Sequence, residues 1–324
     1  MTDTREDKIE EPGLSRAPVM RSRFCIEVAA EIVAADDQPY RRARAQLRDK
    51  ATDDGWALNF FASSTIEGID AVASGEATLA IVNPAAILTM AVRGTGPFKE
   101  PLPLRVITTF PSPDSCAFAA KKELGLASVD DILARKAPLK LSVRAEKDHC
   151  LHGVLDDIFA ALGMTTKDLT SWGGGLRHDA SPRWAKKASI EKGANAVFEE
   201  ATRSWIDEAL ELGMDVLPFS DALLEKLEAV GYRRKLVRKA DHPGLPRDVP
   251  SIDFSGWAVF VRADTPDRLV GQICAAVEAR KNLIPWQGPG PLPVERMCKD
   301  TPDTPMDVPL HPAAENYWKS RGFI

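Results

Sequence analysis

The sequence predicts an α/β protein built on mainly parallel sheets flanked by helices, and three observations carry that expectation. Short apolar runs such as residues 104–110 (LRVITTF) and 254–261 (FSGWAVFV) have the length and composition of buried strands. Amphipathic stretches such as residues 151–162 alternate with them, and the connections are short, which favours strand–helix–strand units. The chain has 324 residues, long enough for two domains, with the 44% hydrophobic and 27% charged fractions of a globular protein.

In chain order, residues 1–22 are polar and charged and read as a disordered head. Residues 23–33 (RFCIEVAAEIV) form an apolar run expected to be the first strand, and a polar turn at 35–40 leads to a basic helix over 41–50. Residues 56–61 make a second strand. Ser63, Ser64 and Thr65 open a short helix, a Ser-Gly-Glu turn at 74–76 follows it, and an apolar strand ends at Asn83. Pro84 suits the first turn of the next helix, and residues 104–110 are the following strand. The Pro/Ser turn at 111–114 begins a second unit. It holds strands at 116–120, 139–143, 195–198 and 216–218, with helices at 128–134, 151–162, 182–192, 202–212 and 221–230. Residues 242–250 are Pro-rich and extended; strand 254–261 and helix 266–281 then return the chain. The last helix is expected near 313–320.

Composition excludes several function classes. A net charge of −5 argues against a nucleic-acid surface. No run approaches the roughly 18 apolar residues that span a bilayer, so no direct membrane insertion is expected. Residues 1–22 lack the apolar core of a secretory signal, which makes the cytoplasm the expected compartment. The alternative is the periplasm, should the true N-terminus lie upstream. The five cysteines are widely spread with no CxxC pair, which argues against a disulfide framework or a structural zinc site.

Several residues are candidates for binding. The hydroxyls of Ser63, Ser64 and Thr65 cap a helix N-terminus, where free N–H groups also hold carboxylates. Asn83 stands at a strand end, either reading a ligand or starting a turn. Arg144 follows the strand at 139–143, and its guanidinium is suited to a bidentate carboxylate grip; Arg177 is a second candidate. His149, Cys150 and His152 lack a third metal ligand at usual spacing and an orienting partner for a nucleophile, so His149 is read as a hydrogen-bonding residue at a helix start. Gly173-Gly174-Gly175 lacks dinucleotide or P-loop spacing; Gly174 either brings backbone N–H groups close to a ligand or sits in a flexible loop. Glu199 and Glu200 end a buried strand, where one of them, Glu199 first, recognises an amine or hydroxyl or donates a proton. Gln38 and Tyr40 occupy the loop before the basic segment, and a tyrosine ring there is suited to stacking on a planar ligand. No cofactor or metal is expected.

Four motifs carry a family resemblance. The stretch Ser74-Gly-Glu-Ala-Thr-Leu-Ala-Ile-Val82 and the helix before it, the return segment at 254–267, the step Lys192-Gly-Ala-Asn-Ala-Val-Phe198, and the close Pro309-Leu-His-Pro-Ala-Ala-Glu-Asn-Tyr-Trp-Lys-Ser-Arg-Gly322 resemble the TAXI group of TRAP-transporter solute-binding proteins. The resemblance runs from about residue 26 to the C-terminus. It implies a two-lobed type II periplasmic binding protein-like fold. One lobe would comprise 23–110 plus 251–324, the other 111–250, and a small organic acid or amino acid would lie between them. It also implies a membrane permease as partner. Two loops depart from the group's pattern: residues 34–41 replace its Gly-rich first loop, and residues 143–152 replace its second-lobe Gly-Ser loop. Related scaffolds serve as cytoplasmic enzymes, so an aromatic-acid decarboxylase is the alternative.

Overall fold

The computed structural model describes residues 17–34, 43–48, 57–62, 66–147, 149–180 and 185–324. The chain falls into two units, residues 1–41 and 42–324. The first holds α1 (Ala17–Ala34), so the strand expected over 23–33 is a helix. Its apolar run is rich in Ala and Glu, both strong helix formers, and length alone does not separate a buried strand from a helix.

The second unit begins with β1 (Ala43–Arg48), paired antiparallel to β2 (Ala57–Ala62). This strand takes the place of the basic helix expected over 41–50: Ala43, Ala45 and Leu47 alternate with Arg44, Gln46 and Arg48. That period of two is a strand's. There follow α2 (Glu67–Ala73), β3 (Leu79–Val82), α3 (Ala85–Arg93), β4 (Leu104–Phe110), β5 (Ala117–Lys121) and α4 (Asp131–Ala134). Next are β6 (Lys140–Ser142), α5 (Leu151–Leu162), α6 (Thr166–Ser171), β7 (Gly175–Arg177), α7 (Lys187–Glu191), β8 (Ala196–Glu199), α8 (Ile206–Glu211), β9 (Met214–Leu217) and α9 (Asp221–Val230). The chain closes with β10 (Arg234–Val237), β11 (Val249–Ile252), β12 (Trp257–Arg262), α10 (Asp267–Ala279), α11 (Val294–Met297) and α12 (Pro312–Ser320).

Among the described residues the strands make two five-stranded sheets, ordered β1-β2-β3-β12-β4 and β7-β6-β8-β5-β9, and a ribbon of β10 and β11. β2 and β3 are parallel, as are β7, β6 and β8. β12 and β5 run against both their neighbours, and each is the first strand to enter its sheet from the other half. The two crossovers lie side by side. Cys116 N–H donates to Ile252 O at 3.2 Å, Phe254 N–H to Asp114 O at 3.2 Å, and Gly256 N–H to Ser112 O at 3.0 Å. Gly256 is required there: its φ is +73°, and a Cβ would lie 2.6 Å from Pro305 Cδ. This is the two-sheet α/β architecture expected, but the sheets are mixed rather than mainly parallel: among the described residues five of their eight pairings run antiparallel, because β1 hairpins onto β2 and because β5 and β12 each enter against both neighbours.

One buried cluster runs between the sheets, from Leu88, Met90 and Phe260 to Phe118, Phe159, Phe198 and Leu227. The outer face of the first sheet packs on α10 and α12 through Val261, Val270, Ile273 and Trp318. That of the second packs on α8 through Val197, Trp205 and Ile206. The period of α10, which buries Leu269, Val270, Ile273 and Cys274, is that of a helix with one apolar stripe.

Candidate functional site

β6 and β8 are adjacent and parallel, with Ser142 opposite Val197, so the residues after them emerge side by side. Those residues are Arg144 and the Glu199–Glu200 pair. Arg144 is 4% exposed; its Nε and Nη2 donate to Glu199 Oε1 at 3.1 and 2.9 Å, and Nη2 also pairs with Glu200 Oε1. Lys186, just before α7, is fully buried; its Nζ lies 2.6 Å from Glu199 Oε2 and donates to Val143 O at 3.0 Å. Two cations thus balance two anions, all four buried. Burial raises the Glu199 carboxyl above its ordinary range, against the pull of Lys186 and Arg144, and lowers the Lys186 ammonium. Glu200 Oε2 is buried with no hydrogen-bond partner among the described residues.

The turn after Glu200 is set by its neighbours. Ala201 has φ +53°, a region that L residues other than Asn and Asp seldom enter, and its N–H donates to Asp114 Oδ1 at 2.9 Å. Trp205 Nε1 donates to Glu200 O at 2.9 Å. Asp114 belongs to the first crossover, and burial pushes its carboxyl up to about 6 despite N–H donors from Ser115 and Ala201 and the nearby Lys235.

From the first sheet, Asn83 ends β3 and meets the start of α5: the Cys150 thiol donates to Asn83 O at 3.0 Å. The Asn83 Oδ1 is buried without a partner among the described residues. Burial pushes the Cys150 thiol up to about 12, so it remains a protonated donor rather than a nucleophile. His149 Nδ1 accepts the Leu151 N–H at 3.2 Å and lies 3.8 Å from Cys150 Sγ. It stands at the start of α5, as the sequence suggests. The neighbouring His152 donates to Glu146 O, and His178 to Arg144 O, both at 2.9 Å.

The remaining candidates fall elsewhere. Arg177 grips Asp179 Oδ2 through Nε and Nη2 at 3.1 and 2.6 Å. Gly174 packs against the backbone of Leu139, where a Cβ would lie 2.3 Å from Leu139 O, and its N–H donates to Leu169 O. Its small size serves the approach of β7 to β6. Gln38, Tyr40, Ser63, Ser64 and Thr65 lie outside the described residues. Sequence reasoning missed Lys186 and Asp114. Neither carried a local signal, because a lysine before a helix and an aspartate in a Pro-rich turn both read as surface. Among the described residues no group of three His, Cys, Asp or Glu side chains is placed to hold a metal, and no helix is long and apolar enough to cross a membrane.

Two open clefts flank the crossovers, and both are lined by Pro113, Asp114, Thr202 and Arg203. One of about 550 Å³ follows β10. The other, of about 450 Å³, also touches Ala201 and reaches Trp286 and Arg296.

A family model described as the NMT1-like family matches residues 57–322. No curated protein matches the chain. Solved structures that resemble it include one described as a periplasmic transporter, at 14% identity and TM-score 0.32, covering 75% of this chain and 72% of that one. Another is a putative periplasmic sulfonate-binding protein from Methylobacillus flagellatus KT, at 12% identity and TM-score 0.29, covering 65% and 52%. A third is the substrate-binding protein of an amino acid ABC transporter, at 12% identity and TM-score 0.28, covering 66% and 69%. At such scores the fold rests on the strand order itself.

Proposed function

Because the chain belongs to the NMT1-like family, we propose that it is a solute-binding protein serving membrane transport. It captures a small amino acid or organic acid between a lobe on each sheet, hinged at the paired crossovers. One observation carries the reading: Arg144, Lys186, Glu199 and Glu200 form a buried, charge-balanced set at the strand ends of one lobe. Burying four charges carries a desolvation cost that a functional role accounts for, and a site with both signs suits a solute with both. Arg144 takes the carboxylate, Glu199 and Glu200 read the ammonium or hydroxyl end, and Asn83 contributes from the opposite lobe. Gln38, Tyr40, Ser63, Ser64 and Thr65 enter the proposal on sequence alone. The membrane partner is a TRAP-type permease on the resemblance above, and with it the periplasmic alternative replaces the cytoplasmic expectation.

Thermal shift and isothermal titration against the amino acids and short aliphatic and aromatic carboxylic acids test this. A ligand at one hundred times its Kd stabilises the fold by about 2.7 kcal/mol, and Arg144→Ala abolishes the response. A folded protein that responds to no member of the set sinks the reading. Carbon dioxide released from the same acids would favour the decarboxylase instead.

A further inference from the structure

We infer that Glu200 is an internal stand-in for the solute's carboxylate: it holds Arg144 while the site is empty and is exchanged for the ligand. The inference rests on the reading that Arg144 grips a solute, and it adds how the empty site is kept and what competes with binding.

The two glutamates are not held alike. Glu199 is fully buried, takes two donors from Arg144, lies 2.6 Å from Lys186 Nζ and accepts the Glu200 N–H at 3.3 Å. Glu200 meets Arg144 through Oε1 alone; both Oε2 atoms are buried without a hydrogen-bond partner among the described residues, but that of Glu199 has the Lys186 ammonium beside it and that of Glu200 has no cation. A half-satisfied carboxylate buried to 6% exposure is the member of the pair with least to lose on leaving.

The main chain at this turn is pinned from both sides, by Asp114 Oδ1 on the Ala201 N–H and by Trp205 Nε1 on Glu200 O. Exchange therefore needs only the Glu200 side chain to rotate. The cleft of about 450 Å³, lined by Ala201, Thr202 and Arg203, offers solvent beside the same turn.

Charge counting gives the stand-in its purpose. With Glu200 in place the buried set sums to zero. Without it, Arg144 loses one of the two carboxylates it holds, and a buried guanidinium short of a partner is costly until an anion arrives. A solute carboxylate that replaces Glu200 restores the balance, and Glu200 moves to water. Affinity for carboxylates is thus set by competition with a tethered one.

Acetate is the probe, titrated calorimetrically into the wild-type chain, Glu200→Gln and Glu200→Ala. Both variants are expected to bind acetate about tenfold or more tightly than the wild type, a gain typical of losing one charge-assisted competitor. Acetate binding unchanged, weakened or absent in folded variants overturns the inference. Should neither variant fold, the carboxyl carbon of Glu200 is followed by NMR in the wild type under saturating acetate. Movement to the position of a solvent-exposed glutamate supports exchange, and an unmoved signal overturns it. A solute set that fails on the wild type, with acetate tightening in the variants, sinks the transport reading alone. A set that succeeds without tightening sinks the exchange alone.

Discussion

Lys186 has no exposed surface, and among the described residues its ammonium meets Glu199 Oε2 and Val143 O. Lys186→Met leaves two buried carboxylates on one guanidinium, which is expected to cost about 3–5 kcal/mol in urea unfolding at neutral pH. The deficit shrinks in acid, because Glu199, its carboxyl already raised by burial, takes up a proton and removes the surplus charge. Asp114 makes a second pH prediction. Its carboxyl moves from 3.8 unfolded to about 6 folded, so the folded chain binds more protons between those values. The stability this group contributes is complete below its unfolded value and is lost as pH rises through about 6, by on the order of 3 kcal/mol. Asp114→Asn keeps an acceptor for Ser115 and Ala201, and unfolding measured from pH 4 to 7 should show a flatter slope than the wild type's.

The elements divide glycines into those that are needed and those that are not. Gly174 touches the backbone of Leu139 at the edge of β6, so Gly174→Ala is expected to cost about 1–3 kcal/mol or more and to disturb the pairing of β7. Gly153 lies within α5, exposed, and a methyl group there would meet nothing within 4 Å. Gly153→Ala should stabilise the chain by about 0.5–1 kcal/mol, and thermal melts of the two variants should move in opposite directions. Ser220 caps α9 by accepting the Leu223 N–H at 3.1 Å and donates to Asp130 Oδ1 at 2.8 Å. Its loss as Ser220→Ala should cost about 1 kcal/mol. At this scale β3, β4, α5 and β12 were legible, since an apolar run bounded by turn residues is a local signal. α1 and β1 were not: composition made one run ambiguous, and charge masked the alternation of the other. Only residues 242–250 read as extended chain, and the ribbon of β10 and β11 was not legible because its pairing spans that Pro-rich loop.

At the scale of the whole molecule, the proposed closure turns a lobe on one sheet against a lobe on the other. They are tied across by Arg233 to Asp300 and Asp307, each at 2.7 Å, and by Arg93 Nη1 to Glu228 O at 3.3 Å. Thr95 Oγ1 also donates to Val230 O. Rotation about the crossovers would have to break these ties, so Arg233→Ala is expected to enlarge the radius of gyration in small-angle scattering and to weaken solute binding. Added solute should restore the smaller value. A radius indifferent to both changes would count against closure.

The sequence by itself determined the alternation of strands and helices, the balance of charge and the residue types at the strand ends, because periodicity, caps and turns are written within a few neighbouring residues. Only the tertiary structure decided that Arg144 spends its guanidinium on Glu199, 55 residues away, with Glu200 and Lys186 completing the set. The physical reason is the parallel register of β6 and β8: it brings two distant strand ends together, and no local pattern encodes which side chains will neutralise one another there.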